Sequence, residues 1–406
     1  MELLVWFLIV VLGGLAGVFL VRYLTVHPLQ MDRALVVAVL APVGVVVLVV
    51  GGLDGWGRLG GAALGLVALV GGYALATGRV LGREDSRPVP PLTRSLDDPG
   101  LGHTAVVYFT HGEPETYDPI GWINQFREFD EQGIAFVPRL VRPLFLYQLR
   151  RSYLTVGRSD HRRMHQRMMA SLEQATRAEG DTETRFYLCF LDDDPRPDAA
   201  VIAALNDGAS RIIVAEVFLT ISNHTAEGKA LIEELDLGDR IPIAYTGPLW
   251  DSETLRWAFI DKANAHLGAA DKSKVGVLLV GHGQPDEWDH EWPTETEQEI
   301  GFREEVLALF EQDGYRREHL SMAWMEFKEP KPAAMVEAFS EDGVETVLTY
   351  SAAISADAIH SQYDVPALAA KARMREGLKL VNMGAWNDHP RVIAAIKEKI
   401  DARMGR

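Results

Sequence analysis

Two histidines in the second half of the chain each have acidic residues close by in the sequence. Asp357, His360 and Asp364 have the spacing i, i+3, i+7, which on a helix gives one face. His282 directly follows an apolar segment. Neutral imidazole binds divalent metals such as Fe²⁺, Co²⁺ and Zn²⁺, and carboxylates guide cations or accept protons. We therefore predict a metal site at His282 and His360, with Asp357 and Asp364 as catalytic carboxylates.

The first half of the chain carries a second pair of histidines in the same sequence context. The matched features, in chain order, are His111 and His282, Pro195-Arg-Pro197 and Pro330-Lys-Pro332, Asp207-Gly208 and Asp342-Gly343, and His224 and His360. Four matches in one order indicate two lobes of the same architecture. His111 and His224 are therefore duplicate candidates for the metal site, and either lobe remains a candidate for the working one. A histidine after a strand also occurs as a capping residue.

Short apolar segments of strand length alternate with amphipathic segments of helical length. The predicted strands are 104–110, 185–191, 211–218, 275–280, 320–325 and 346–350. This alternation predicts an α/β fold with two similar Rossmann-like lobes and parallel sheets, in which ligands bind beyond the carboxyl ends of the strands. We place the first lobe at 103–265, with an insertion at 122–169, and the second at 266–406.

Three apolar segments precede the predicted lobes, at 3–21, 34–53 and 59–77. Each is close to the ~20 residues that a membrane-crossing helix needs. We therefore predict a membrane anchor of three transmembrane helices at 1–82 and a proline-containing linker at 83–102. The spacings Gly13-x-x-x-Gly17 and Gly61-x-x-x-Gly65 allow close packing of such helices.

The charges that flank these segments predict their orientation. Arg22 and Arg33 lie between the first and second segments, and four further arginines lie at 79–94. Because positive loops stay in the cytoplasm, we expect an integral membrane protein with its N-terminus outside and its catalytic domain cytoplasmic.

Charge and cysteine content exclude two classes of function. Residues 1–99 hold equal numbers of basic and acidic residues, so the net charge of −17 lies on residues 100–406. An acidic surface of this kind argues against a nucleic-acid partner. The single cysteine, Cys189, excludes a four-thiolate site, and no iron–sulfur cluster is expected.

The motifs resemble those of the class II tetrapyrrole chelatases, the family of ferrochelatase and the sirohydrochlorin cobaltochelatases. The resembling segments are VGHGQP at 280–285, WMEFKEP at 324–330, HSQYDVP at 360–366, NDHP at 387–390, GEPE at 112–115 and the aromatic segment 122–153. The resemblance covers nearly all of 104–400. It implies a lyase that inserts a divalent metal, Fe²⁺ or Co²⁺, into a tetrapyrrole. The predicted anchor adds membrane lipid as a further partner. The sequence does not indicate an oligomeric state.

The resemblance also implies residues that contact the macrocycle. These are Phe126, Phe145 and Tyr147 as aromatic surfaces, Trp324, and four arginines as partners of substrate carboxylates, namely Arg139, Arg142, Arg150 and Arg151. The arginines are equally consistent with a basic helix face. His282 is also expected to accept a pyrrole proton.

His360 departs from the ferrochelatase pattern, because it stands where that enzyme has a catalytic glutamate. A histidine there is typical of the cobaltochelatases. A membrane address and the insertion favour Fe²⁺ and a porphyrin, as in haem biosynthesis. The alternatives are Co²⁺ or Fe²⁺ insertion into sirohydrochlorin, and a non-catalytic protein that binds metal or tetrapyrrole.

Overall fold

The computed structural model describes residues 2–85, 87 and 89–406. They form two compact units, one of Met1–Arg87 with Thr116–Arg158 and the other of Pro88–Glu115 with Ser159–Arg406. The segment 116–158, which we assigned to the first lobe, therefore groups with the apolar N-terminal helices. The predicted boundaries at 82, 102 and 265 remain predictions, and residues 86 and 88 of the predicted linker lie outside the described residues.

The first unit is helical. Its helices are α1 (Glu2–Thr25), α2 (Met31–Gly52), α3 (Trp56–Leu81), α4 (Ile120–Glu131) and α5 (Arg142–Val156). Each of α1–α3 is long and apolar enough to cross a membrane. Glycines bring α1 and α3 together, since a Cβ on Gly13 would lie 2.6 Å from the carbonyl oxygen of Gly65. The predicted close packing at these glycines is confirmed.

Helix α5 is attached to the C-terminal end of α1. The guanidinium of Arg150, which is buried, donates to the carbonyl oxygens of Tyr23 and, at 3.1 Å, Val26. The hydroxyl of Tyr117 donates to the carbonyl oxygen of Thr25 at 3.2 Å. The last carbonyls of a helix lack intrahelical partners and carry partial negative charge, so the guanidinium stabilises this helix end.

The second unit contains two four-stranded sheets. Its strands are β1 (His103–Thr110), β2 (Arg185–Phe190), β3 (Ala209–Glu216), β4 (Ile243–Tyr245), β5 (Val275–Gly281), β6 (Leu320–Trp324), β7 (Thr346–Ser351) and β8 (Lys379–Gly384). The orders are β2-β1-β3-β4 and β6-β5-β7-β8, and every pair is parallel. The two sheets thus have the same topology, which confirms the predicted α/β lobes. We did not predict β4 and β8, two edge strands.

Nine helices cover the sheets in the described part of this unit. They are α6 (His161–Ala178), α7 (Pro197–Asn206), α8 (Asn223–Glu233), α9 (Glu253–Leu267), α10 (Asp286–Glu291), α11 (Pro293–Gln312), α12 (Pro332–Glu341), α13 (Val365–Ala369) and α14 (Pro390–Met404). Met168 and Leu172 place α6 in the core, so α6 is a regular part of the first lobe, like α11 in the second. The predicted insertion at 122–169 therefore extends too far.

The two lobes share one hydrophobic core. Val106 and Tyr108 of β1 enter a cluster that also contains Tyr350 of β7, whereas Val107 and Phe109 face a separate cluster on the other side of the first sheet. Successive side chains of a strand point to opposite faces, so each sheet is covered on both sides. The shared cluster gives the strand ends of both lobes a common support.

Candidate metal-binding site

The histidines lie at the topological switch point of each sheet. In each order the first strand of the lobe lies beside the third, and the chain turns in opposite directions from these two strands, which creates a crevice beyond their carboxyl ends. His111 and His282 follow the first strands, and His224 and His360 follow the third. The ring centroids are 4.6 Å apart for His111 and His224 and 5.6 Å apart for His282 and His360. The structure therefore brings each predicted pair together.

In His111, His282 and His360, a contact at Nδ1 leaves Nε2 as the nitrogen available to bind a metal. In His282, Nδ1 lies 2.7 Å from the carbonyl oxygen of Gly283, and in His111 it lies 2.9 Å from that of Gly112. A carbonyl oxygen only accepts, so Nδ1 carries the hydrogen and the lone pair of the neutral ring is on Nε2. Nδ1 of His360 lies 2.7 Å from a carboxylate oxygen of Asp364. Such partners fix the orientation of metal-binding imidazoles.

The two second-lobe histidines have opposite protonation states. Burial, with a smaller contribution from His360, lowers the pKa of His282 to about 4. Burial also acts to lower the pKa of His360, but the carboxylates of Asp364, Glu326 and Glu113 raise it to about 9. At neutral pH His282 is therefore neutral, whereas His360 is protonated, and a metal bound at its Nε2 would have to displace that proton.

The predicted helix face of Asp357, His360 and Asp364 is only partly formed. Residues His360–Asp364 form a single π-helical turn, which brings His360 and Asp364 into contact at a separation of four. Asp357 precedes this turn, and its carboxylate accepts from the backbone N–H of Ala385 and the side-chain amide of Asn387, both at 2.9 Å. Asp357 thus attaches the His360 segment to the end of β8. Its catalytic role stays a prediction.

Each lobe adds a carboxylate that we did not predict. The backbone N–H of Glu326 donates to the carbonyl oxygen of His282 at 3.0 Å, and that of Asp192 donates to His111 at 2.8 Å. Asp192 also lies 3.4 Å from Nδ1 of His111. Burial raises the pKa of Glu326, and the charge of His360 opposes this shift. The sequence did contain a signal for these two carboxylates, because each lobe has an acidic residue just past its second strand.

Glu113 connects the first lobe to the His360 segment. Its carboxylate accepts from the backbone N–H of Ile359 at 3.0 Å and from the hydroxyl of Ser159. Burial raises the pKa of Glu113, and the nearby charge of His360 opposes this shift. A first-lobe carboxylate therefore holds the backbone directly beside a second-lobe histidine.

Trp324 belongs to a buried group behind His282. The backbone N–H of His282 donates to Glu299 at 3.1 Å, Glu299 lies 3.7 Å from Arg303, and the Arg303 guanidinium carbon lies 3.9 Å from the centre of the Trp324 ring. Trp324 is 6% exposed. In this structure it supports the histidine, and its predicted contact with substrate stays a prediction.

The other predicted substrate residues lie in the first unit. Phe126 is buried, and the guanidinium of Arg142 lies 4.8 Å from the centre of its ring and pairs with Asp130. These two residues are therefore engaged within the unit. Arg150 is engaged at the end of α1. The remaining four are Phe145 and Tyr147, both half-buried, and Arg139 and Arg151, both exposed. Their contacts with substrate remain predictions.

The separation of the histidine rings suits a shared divalent ion. An ion ~2.1 Å from one nitrogen of each ring would separate the ring centroids by roughly 5 Å, at bond angles between square and tetrahedral. The 4.6 Å between His111 and His224 corresponds to an angle of about 90°, and the 5.6 Å between His282 and His360 to a wider angle of roughly 120°. Within the described residues, no group of three or more His, Cys, Asp or Glu side chains has the arrangement of a metal site. Each lobe thus offers a pair of imidazoles.

Comparisons with known proteins identify the family. The family model for ferrochelatase matches residues 103–404. No curated protein matches the chain. Three similar solved structures are each 14% identical to this chain. SirB of Bacillus subtilis with Fe³⁺ has a TM-score of 0.47, and the match covers 74% of this chain and 98% of SirB. The sirohydrochlorin chelatase SirB of Bacillus subtilis subspecies spizizenii with cobalt has a TM-score of 0.42 (75% of this chain and 98% of that one), and the multi-domain, chelatase-like DR2241 of Deinococcus radiodurans has 0.43 (74% of this chain and 55% of that one). Because the family model covers most of the chain, this protein belongs to the ferrochelatase family of tetrapyrrole metal chelatases.

Proposed function

We propose that the protein inserts Fe²⁺ into a porphyrin at the second-lobe pair, His282 and His360. The observation that carries this proposal is the 5.6 Å separation of the two rings, each with Nδ1 engaged elsewhere. Two imidazole ligands leave coordination positions open for the macrocycle, as a metal that must be transferred requires. Asp364 favours this lobe, since it orients the ring of His360.

The reaction releases two protons for each divalent metal that enters the macrocycle. We expected His282 to accept a pyrrole proton, but a group with a pKa of about 4 is a weak base at neutral pH. Glu326 and Glu113 have pKa values raised by burial and lie near His360, so they are better matched to this task. His282 then acts as the neutral metal ligand, and the carboxylates accept the protons.

The three apolar helices anchor the enzyme in this proposal. They cross the membrane with the N-terminus outside, which leaves the catalytic unit in the cytoplasm. Porphyrins partition into lipid, so an anchored enzyme meets its substrate in the phase that holds it.

A second candidate substrate is sirohydrochlorin, with Co²⁺ or Fe²⁺. The observation that favours it is His360 itself, because the resemblance leads us to expect a glutamate at this position in a ferrochelatase. The polar character of that macrocycle argues against a membrane location, so it ranks second.

An insertion assay tests the proposal. The full-length protein in nanodiscs is incubated anaerobically with Fe²⁺, Co²⁺ or Zn²⁺ and either protoporphyrin or sirohydrochlorin, and the absorbance of the macrocycle is followed. We expect the fastest turnover with Fe²⁺ and porphyrin, and background rates in the double variant His282→Ala/His360→Ala. Faster turnover with sirohydrochlorin would select the second candidate. Binding without turnover for every pair would leave a non-catalytic binding protein and contradict the proposal.

A further inference from the structure

A buried ion pair of α11 lies directly behind the segment that carries His282. Glu299 and Arg303 are 2% and 0% exposed, and their charged groups lie 3.7 Å apart. Replacement of such a pair by apolar side chains is often neutral or stabilising, because burial removes both charges from water. The pair therefore needs an explanation other than stability.

The carboxylate of Glu299 holds the backbone that carries the imidazole of His282. It accepts from the backbone N–H of His282 at 3.1 Å and from that of Gly283. The carbonyl oxygen of Gly283 in turn lies 2.7 Å from Nδ1 of His282. The carboxylate therefore fixes the residue whose carbonyl oxygen orients the ring and leaves Nε2 for a metal.

The end of β5 leaves room for this carboxylate and for no side chain of its own. A Cβ on Gly281, the last residue of β5, would lie 1.9 Å from a carboxylate oxygen of Glu299. The guanidinium of Arg303 donates to the carbonyl oxygens of Leu279, at 3.3 Å, and Ala323, at 2.8 Å. These strand contacts fix Arg303 and, through the ion pair, the position of Glu299.

The first lobe has a different arrangement at this place. Its helix α6 carries His161 and His165, also four residues apart, and Nε2 of His165 lies 3.2 Å from the hydroxyl of Thr110, the last residue of β1. A neutral imidazole has one acceptor nitrogen, whereas a carboxylate accepts several N–H groups. Behind the first-strand histidine, the second lobe thus has a carboxylate where the first lobe has imidazoles.

We propose that Glu299 is the positioning residue of His282 and holds its ring in the orientation that binds the metal. This inference rests on the proposed metal site at His282 and His360. Arg303 balances the charge of Glu299 and keeps it at the strand end. Loss of the acceptor oxygen should release the N–H groups of His282 and Gly283 and let the ring turn away from the metal.

Two variants of equal charge isolate the acceptor oxygen. Glu299→Gln and Glu299→Met are each made in an Arg303→Met background, which avoids an unpaired buried guanidinium. Glutamine retains a carbonyl oxygen that can accept both N–H groups, and methionine has a similar length without one. Glu299→Leu serves the same purpose should Glu299→Met fail to fold.

The measurements are the Co²⁺ affinity of the full-length protein in detergent, by optical titration, and the paramagnetically shifted NMR signals of the imidazole Nδ1 protons. His282→Ala assigns the signal of His282. We expect the Glu299→Gln double variant to bind Co²⁺ within about threefold of wild type. The Glu299→Met double variant should lose at least ~10-fold. It should also lose the His282 signal, since that proton then exchanges with water, and keep the His360 signal.

The outcomes separate this inference from the metal site on which it rests. Equal affinities of the two double variants, or a retained His282 signal in Glu299→Met, would overturn the positioning role and leave the site intact. Equal losses in both variants would also overturn it, because charge and not the acceptor oxygen would then hold the ring. Unchanged Co²⁺ binding in His282→Ala would instead contradict the proposed site itself.

Discussion

The partner of each Nδ1 atom determines what the site histidines can do. Gly283 directs the lone pair of His282 to Nε2, and Asp364 holds the ring of His360 through the same atom. The sequence predicted that these two histidines lie close together, because a histidine past a strand end recurs in both lobes. It did not identify Glu326 and Glu113, because their proximity to His360 depends on chain segments distant in sequence.

Removal of the Asp364 carboxylate should weaken metal binding. Asp364→Ala leaves the ring of His360 without its orienting partner, and we expect a loss of roughly 10–100-fold in affinity for Co²⁺ in an optical titration. Asp364→Asn retains an oxygen acceptor and should lose less. Equal affinities of wild type and Asp364→Ala would show that Asp364 does not orient the ligand.

The matched pair Glu326→Gln and Asp192→Asn tests the proton acceptor. Both side chains follow the second strand of their lobe, and each change removes one negative charge. We expect turnover to fall ~100-fold in Glu326→Gln, a typical loss for a general base, and to stay within about threefold of wild type in Asp192→Asn. Similar rates for the two variants would remove the proton-acceptor role from Glu326.

The elements place the histidines through short segments after parallel strands. The alternation of short apolar segments with amphipathic helical segments was sufficient to predict the central strands, which are apolar on both faces. The same patterns misplaced Asp357, because regular helical spacing does not describe the segment before a π-helical turn. They also did not indicate that α4 and α5 pack with α1 and α3, since residues such as Arg150 find their partners only in the folded unit.

Asp357 should act on stability more than on chemistry. Asp357→Ala removes the acceptor for Ala385 and Asn387, and unsatisfied buried donors cost ~1–3 kcal/mol each. We expect a lower melting temperature, by roughly 2–6 °C in a thermal scan, and a smaller decrease for Asp357→Asn. A full loss of turnover in Asp357→Asn at unchanged melting temperature would instead support the catalytic role that the sequence suggested.

At the scale of the whole molecule, both lobes depend on one buried interior. His165 of α6 lies in it, with Nδ1 2.9 Å from the hydroxyl of Tyr108 and Nε2 3.2 Å from those of Thr110 and Ser355. Ser355 belongs to the second lobe, so this histidine links the two. Burial lowers the pKa of His165 to about 3.

This buried histidine should make the protein less stable in acid. In the unfolded chain its pKa is ~6.5, so between pH 6.5 and about 3 the unfolded state binds one more proton than the folded state. The free energy of unfolding therefore decreases as the pH falls, by up to ~1.4 kcal/mol per pH unit for this group. His165→Gln should show a smaller decrease in melting temperature between pH 7 and pH 5 than wild type. An unchanged difference would mean that His165 does not contribute.

The most direct test of the central claim compares His282→Ala with His111→Ala. The two residues directly follow the first strand of their lobe, so the changes are matched in type and in position in the fold. Insertion of Fe²⁺ into protoporphyrin is measured for both proteins at equal folded concentration in nanodiscs. We predict that His282→Ala loses at least ~100-fold in kcat/KM and that His111→Ala stays within about threefold of wild type. The reverse order would move the working site to the first lobe and contradict the assignment of His282 and His360.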